Sequence, residues 1–187
     1  MGQSPACYDE WLNNDFGDSC DFVIKNGVLI KYNGSGGDVT IPDSVTTIGD
    51  EAFDSCTSLT NITIPNSVVT IGDWAFQHCA SLTSIVIPDN VTTIGDYAFY
   101  DCVSLTSVTV GNSVTAIGEY AFNHCTTLTN VVLGPNVSTI DHCAFYDCSS
   151  LTHVAGLNKA INLGNNVFKN CPLTDAPDTI KKTHIFG

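Results

Sequence analysis

The sequence predicts a repeat solenoid of the α+β class, and a recurring 23-residue unit is the main observation behind this prediction. The unit recurs in register over residues 38–152 and is clearest between Ser84 and Thr106. One phenylalanine and one cysteine return at fixed positions, as Phe53, Phe76, Phe99, Phe122, Phe145 and as Cys56, Cys79, Cys102, Cys125, Cys148. A unit this short cannot bury its apolar residues alone, so we expect successive units to stack as coils.

The acidic composition of the chain argues against nucleic acid as a partner. The 187 residues carry a net charge of -13, and the span 38–152 contains no lysine or arginine. A nucleic-acid backbone would be repelled by such a surface, so we expect no nucleic-acid partner. The chain also contains no apolar run long enough to span a bilayer, so we expect no direct membrane insertion.

The start of the chain, residues 1–37, is predicted to be a cap with a β-hairpin. Its first twenty residues have neither a basic start nor an apolar run, so we expect no signal peptide among them. The stretch FVIKNGVLIKY, residues 22–32, alternates apolar and polar residues around Asn26 and Gly27, a pair typical of tight hairpin turns. The hairpin is expected to cover the open apolar end of the first coil.

Each of the five repeats in residues 38–152 divides into two extended pieces and a turn. Between Leu59 and Cys79, an alternating β-branched stretch ends at Pro65, and a second extended piece covers residues 68–71. The pattern from Asp73 to Cys79 favours a short helical turn that directs Ala75 and Phe76 inward. Parallel strands and a central column of phenylalanines follow from stacking such units.

The end of the chain departs from the repeat. Residues 153–174 are predicted to form a degenerate sixth repeat, because Phe168 and Cys171 stay in phase while Gly156 and Leu157 replace the Ile-Pro step. Residues 175–187 form a C-terminal tail. The tail is expected either to fold back over the last coil or to begin a longer protein.

The unit SLTSIVIPDNVTTIGDYAFYDC resembles those of the BspA-like leucine-rich repeat family. The resemblance covers residues 38–152, extends to the sixth repeat and includes FVIKNGVLIKY. It implies a right-handed leucine-rich repeat solenoid with parallel short strands, short helical turns and the hairpin cap. It also implies adhesion to host proteins or other cells, and it carries over no catalytic residue and no cofactor.

The chain has nine cysteines, an odd number that leaves at least one thiol unpaired in a monomer. The cysteines at the fixed repeat position are expected to form a buried ladder of free thiols, although disulfides between neighbouring coils are geometrically possible. Cys7 and Cys20, which lie outside the repeats, are the more probable disulfide pair in an exported protein.

Two surfaces are candidate binding sites. A column of Glu51, Trp74, Tyr97, Tyr120 and Cys143 places three aromatic residues on successive coils, where they either anchor a partner or only stack on one another. We call Trp74, Tyr97 and Tyr120 the aromatic ridge. The opposite strand face carries no charge and is lined by Thr63, Val86, Thr109 and Val132. Repeat proteins commonly bind through such an extended sheet, which can also pair with a second copy.

Two polar columns are expected to be structural. Asp50, Asp73, Asp96 and Glu119 repeat one per coil, followed by His142, and the carboxylates are expected to be screened by solvent, some of them capping the predicted helical turn. A second column contains Ser55, His78, Asp101, His124 and Asp147. Pairing of histidine with aspartate is expected there rather than metal binding, because no further ligand of matching geometry is evident.

The sequence therefore predicts a non-catalytic binding module for protein or cell-surface recognition. The alternative is a structural protein that assembles with itself through its ends or its ridge. An enzyme is not expected, because a single file of carboxylates leaves no cleft between them. A secreted or cell-surface location fits this function, with the cytoplasm left open.

Overall fold

A computed structural model describes residues 6–8, without their side chains, and residues 20–174. Over this range the chain forms a β-solenoid of about six turns. The fifteen strands are β1 Ala6–Tyr8, β2 Phe22–Lys25, β3 Val28–Tyr32, β4 Gly37–Thr40, β5 Thr47–Ile48, β6 Leu59–Thr63, β7 Thr70–Ile71, β8 Ser84–Val86, β9 Thr93–Ile94, β10 Ser107–Thr109, β11 Ala116–Ile117, β12 Asn130–Val132, β13 Thr139–Ile140, β14 His153–Ala155 and β15 Asn162–Leu163.

Three sheets run along the solenoid. The largest has nine strands in the order β1-β2-β3-β5-β7-β9-β11-β13-β15, the second has the order β14-β12-β10-β8, and β4 pairs with β6. Every pairing is parallel except that of β2 with β3. Equivalent residues of successive coils lie side by side, as Val108 does between Ile85 and Val131. The predicted stacking of parallel strands is confirmed.

The predicted hairpin forms and continues the largest sheet. Strands β2 and β3 are antiparallel, and the turn residues Asn26 and Gly27 both have positive φ, of 50° and 77°. Strand β3 then pairs with β5 of the first coil. The Tyr32 ring stacks on Phe53 with 5.0 Å between ring centroids. The hairpin therefore covers the first coil through both backbone and side-chain contacts.

A column of stacked phenylalanine rings forms the centre of the core. Phe53, Phe76, Phe99, Phe122, Phe145 and Phe168 are all 0% exposed. Neighbouring ring centroids are 4.8 Å apart between Phe53 and Phe76 and 5.4 Å apart between Phe145 and Phe168. The planes of Phe99 and Phe122 are within 2° of parallel. One ring per coil thus fills the space between the sheets.

The predicted short helical turns are wrong, because residues 6–8 and 20–174 contain no helix. We call the seven residues 73–79 and their equivalents the turn segment. Trp74 and His78 have φ of 53° and 57°, values that interrupt a right-handed helix. Alternate N–H groups donate to carbonyls of the next coil, from Trp74 to Asp96, from Phe76 to Ala98 and from His78 to Tyr100. These bonds between coils replace the bonds that a helix would make within itself, so the described chain is all-β.

The cysteines of the repeats remain free thiols, as predicted. Cys56, Cys79, Cys102, Cys125, Cys148 and Cys171 carry no disulfide. The Cys102 thiol donates to the carbonyl of Phe76 at 3.2 Å, and four further cysteines make the equivalent bond. Outside the repeats, Cys20 is disulfide-bonded. The predicted pairing of Cys20 with Cys7 stays a prediction, because the Cys7 side chain lies outside the described part.

The structure leaves the tail prediction untested, because residues 175–187 lie outside the described residues. At the last described position the contact between coils persists, although its spacing shortens from 23 to 22 residues. The N–H of Thr174 donates to the Thr152 carbonyl at 3.1 Å, as Thr152 does to Thr129 at 3.2 Å.

Candidate functional site

The acidic column bonds to the backbone between coils. Oδ1 of Asp50 accepts from the N–H of Asp73 at 2.9 Å, Oδ1 of Asp73 accepts from Asp96 at 2.8 Å, and Oδ1 of Asp96 accepts from Glu119 at 2.7 Å. The prediction that these residues cap a helical turn is wrong, because no helix is present and the donor lies in the following coil. Three of these carboxylates thus stabilise the stack by satisfying backbone donors.

Close approach between coils explains the glycine that precedes each of these carboxylates. A side chain at Gly72 would collide with the Asp50 carboxylate. In the fifth coil Asp141 occupies the glycine position, and the preceding coil carries the longer Glu119 in place of aspartate. Asp141 itself accepts the N–H of His142 at 2.7 Å. The two changes therefore compensate each other, which the sequence pattern alone did not reveal.

The predicted pairing of histidine with aspartate is confirmed. Nδ1 of His78 lies 3.1 Å from Oδ2 of Asp101, and Nδ1 of His124 lies 2.7 Å from Oδ1 of the same residue. Asp101 thus joins the second, third and fourth coils at their surface. Within the described chain, no group of three or more His, Cys, Asp or Glu side chains is arranged to hold a metal ion.

The aromatic ridge is a stack of three rings. Centroids are 5.8 Å apart between Trp74 and Tyr97 and 4.8 Å apart between Tyr97 and Tyr120, with planes within 15° and 11° of parallel. Stacking covers the ring faces, so the ridge presents mainly ring edges and hydroxyl groups outward. Partial desolvation raises the pKa of Tyr97, and the negative charge of Glu119 raises it by a smaller amount. The ridge therefore has the mixed apolar and hydrogen-bonding character of recognition surfaces.

The backbone conformation at the ridge position does not require an aromatic side chain. Glu51, Cys143 and Asn166 occupy the same position in other coils with φ of 57°, 53° and 55°. Cys143 is only 5% exposed, so its predicted place in a surface column is wrong. Aromatic residues are thus confined to three successive coils although other side chains adopt the same conformation.

We expect replacement of Trp74, Tyr97 and Tyr120 together by asparagine to change stability little. Each lost stacking contact costs about 0.5–1.5 kcal/mol, while asparagine tolerates positive φ with about 1 kcal/mol less strain at each site. Thermal denaturation should give a melting temperature within about 4 °C of the wild type. A much larger decrease would contradict a recognition role and make the ridge a structural element.

The strand face brings together the four residues that the sequence singled out. Val86, Thr109 and Val132 are direct neighbours on strands β8, β10 and β12. Val86 is 64% exposed and Val132 is 38% exposed. Two hollows of about 350 and 370 Å³ share Val86, and Thr63 lines the first while Thr109 and Val132 line the second. The strand residues of this face are therefore uncharged and partly apolar, while Asp89 borders the second hollow.

Threonine ladders beside this face were missed by sequence reasoning. The hydroxyl of Thr106 donates to the Thr83 carbonyl at 2.9 Å, and the hydroxyl of Thr129 donates to the Thr106 carbonyl at 3.1 Å. A second ladder contains Thr92 and Thr115. Threonine at a fixed repeat position is the signal in the sequence that indicates these ladders. These hydroxyls support the backbone between coils.

Comparison with known proteins agrees with this architecture. The BspA type leucine-rich repeat region matches residues 31–91 and 71–185 in six copies. No curated protein matches the chain significantly.

Solved bacterial structures have the same fold. A leucine-rich repeat protein of T. pallidum is 28% identical with a TM-score of 0.69, over 83% of this chain and 85% of that one. A leucine-rich repeat protein of Eubacterium ventriosum is 27% identical with a TM-score of 0.71, over 82% of this chain and 48% of that one. The chain thus spans about half the length of the second protein. With the match to the family over most of its length, the chain belongs to the BspA-type leucine-rich repeat family.

Proposed function

We propose that this protein is a non-catalytic module that recognises a partner on another protein or on a cell surface. The observation that carries the proposal is the strand face, where Val86, which is 64% exposed, lies beside Thr109 and Val132 on three neighbouring parallel strands. Val86 and Val132 flank Thr109 on this face, and an exposed apolar patch of neighbouring residues, rather than a single one, supports contact with a partner. The confinement of aromatic residues to the ridge supports a second contact surface on the opposite side.

Family membership supports the same function. Leucine-rich repeat proteins generally act as non-enzymatic binding scaffolds, and their extended sheets form the binding surface. The proposal includes no cofactor. Its partner is a protein or cell-surface component, and the acidity of the repeats argues against nucleic acid.

A secreted or cell-surface location is part of the proposal. The disulfide bond at Cys20 supports an oxidising compartment, since such bonds persist mainly outside the cytosol. No helix in residues 6–8 and 20–174 is long and apolar enough to cross a membrane.

Cell binding tests the strand face directly. The fluorescently labelled full chain would be added to intact cells and to immobilised matrix proteins, and bound protein would be measured by flow cytometry and plate fluorescence. Replacing Val86 and Val132 together with aspartate should lower binding at least about tenfold, because it places two unpaired charges in the contact. Val69→Asp is the matched control, since Val69 is 44% exposed but does not line either hollow.

Equal loss of binding in the control, or full binding by the double variant, would contradict a role for the strand face. The same variants test the alternative function, self-assembly. The uncharged face favours this alternative because a second copy could cover it. Light scattering that shows a mass rising with concentration, abolished by the double variant, would make self-association the function.

A further inference from the structure

The turn segments form a face that differs chemically from the strand face. Most acidic residues of the repeats lie there, as Asp50, Glu51, Asp54, Asp73, Asp96, Asp101, Glu119 and Asp147. Residues 38–152 contain no lysine or arginine to offset them. The same face carries the aromatic ridge and further tyrosines at positions 100 and 146. Negative charge and aromatic rings together favour a cationic ligand.

A hollow opens on this face where the ridge ends. Tyr97 covers one side of Tyr120, but the next coil offers no stacked ring on the other side, because the ridge position is occupied by the small residue Cys143. His142 meets Tyr120 at an interplanar angle of 82°. The resulting hollow has a volume of about 490 Å³, and Tyr100 and Tyr146 also line it. It is large enough for one long side chain of a partner.

Two polar groups in the hollow are available to a ligand. Asn123 lines the hollow and is 7% exposed, and no group in the described part of the chain hydrogen-bonds its side-chain amide. Its amide atoms keep some solvent contact, since the fully buried unpaired side-chain atom among the described residues is Ser67 Oγ, so they are open to a ligand in the hollow. Asp147 also lines the hollow and uses only Oδ1, which accepts from Asn170. Lys169 lies in the following coil, but it does not line the hollow and pairs with no carboxylate among the described residues.

We propose that this hollow, bounded by Tyr100, Tyr120 and Tyr146, binds an arginine side chain of a basic protein partner. A guanidinium is planar, stacks on tyrosine rings, and donates in a fork to an amide oxygen and a carboxylate. Asn123 and Asp147 offer those two acceptors. A lysine ammonium has the same charge but cannot stack on the tyrosine rings or donate two parallel hydrogen bonds to these acceptors. This inference rests on the proposed function and names the chemistry of the partner.

Titration with short peptides tests the hollow. The ¹⁵N-labelled full chain would be titrated with acetyl-Gly-Arg-Gly-amide and with matched peptides that contain lysine or citrulline, and amide shifts would be followed by NMR. Citrulline preserves the shape of arginine without its charge. The arginine peptide should shift the amides of Tyr120, Asn123 and Tyr146. We expect it to bind about tenfold more tightly than the citrulline peptide, with the affinity falling as salt rises.

Two variants test whether the arginine peptide binds in the hollow. Tyr120→Ser and Asp147→Asn should each weaken binding of the arginine peptide about fivefold or more. Asp147→Asn keeps an acceptor for Asn170 and tolerates positive φ, so it tests the hollow even if Tyr120→Ser unfolds. Trp74→Ser is the control, because Trp74 belongs to the ridge but does not line the hollow.

Three outcomes would overturn the proposal. The citrulline peptide could bind as tightly as the arginine peptide, or the Asp147→Asn variant could bind the arginine peptide as tightly as the wild type. Alternatively, methyl α-glucoside could cause the same amide shifts while the arginine peptide causes none. If the peptide fails to bind while strand-face variants still lose cell binding, only the hollow is excluded. If the peptide binds and the strand-face variants keep full cell binding, the strand face fails and the hollow stands.

Discussion

Raising the pH from 8 to 10 is expected to lower the free energy of unfolding by about 5 kcal/mol. The cause is the column of buried thiols. Burial raises the pKa of Cys125 to about 12 and also raises the pKa values of Cys79, Cys102 and Cys148 well above their ordinary value. The ordinary pKa of these thiols is 9.0, so above pH 9 the unfolded chain loses protons that the folded chain retains.

The sign of the effect follows from that difference in proton binding. The unfolded state binds fewer protons above pH 9, so stability falls as the pH rises, by about 1.4 kcal/mol per unit for each thiol. Below pH 9 this contribution is fully present. Urea unfolding followed by circular dichroism at half-unit pH steps, under reducing conditions mild enough to preserve the Cys20 disulfide, would measure the slope.

Cys102→Ser provides the matched control. Serine can donate to the Phe76 carbonyl, as the Cys102 thiol does, but it does not ionise in this pH range. The slope between pH 9 and 10 should therefore fall by about 1 kcal/mol per unit relative to the wild type, because only half of the unfolded thiols are ionised at pH 9. An unchanged slope in the variant would show that other groups, such as the tyrosines, cause the alkaline loss of stability.

The core of the solenoid could be predicted because its 23-residue period can be read directly from the sequence. Phe53 and Phe76 are 23 positions apart, and any regular coil must place such residues on one another. The hairpin was equally predictable, since Asn26 and Gly27 need positive φ that few other residue pairs tolerate. In both cases a local or strictly periodic signal determines the structure.

The turn segments could not be predicted in the same way. Ala75 and Phe76 fit the inward side of a helical turn, but periodicity cannot show that the N–H of Phe76 bonds to Ala98 in the next coil. Positive φ at a tryptophan is rare, so no sequence rule assigns it to Trp74. Bonds between coils determine this conformation, and they exist only once the coils have stacked.

The candidate surfaces were only partly visible in the sequence. Their columns follow from the repeat, so the placement of Val86, Thr109 and Val132 on neighbouring strands was predictable from the sequence, while their role in binding stays a prediction. The hollow beside Tyr120 was not, because it results from an interruption of a column. Cys143 was counted with the aromatic column, whereas its small side chain creates the space that a ring would fill.

Phe99→Ala is expected to lower the free energy of unfolding by about 3–5 kcal/mol, which is the range for truncation of large core side chains. The Phe99 ring stacks between Phe76 and Phe122, with centroid distances of 5.0 Å on both sides. The six-ring column runs through every coil, so a cavity at Phe99 removes contacts from both neighbouring coils at once. Urea unfolding at pH 7 would measure the change.

Phe99→Leu separates the volume of the ring from its stacking. Leucine fills most of the space, so the loss should be about 1–3 kcal/mol, the sum of two aromatic contacts of about 0.5–1.5 kcal/mol each. Because coils in a solenoid contact only their neighbours, a loss at Phe99 also weakens the coupling between the two halves of the stack. The alanine variant should therefore unfold over a broader urea range. An alanine loss no larger than the leucine loss would mean that the sheets close over the gap, and that the hydrogen bonds between coils hold the stack without the rings.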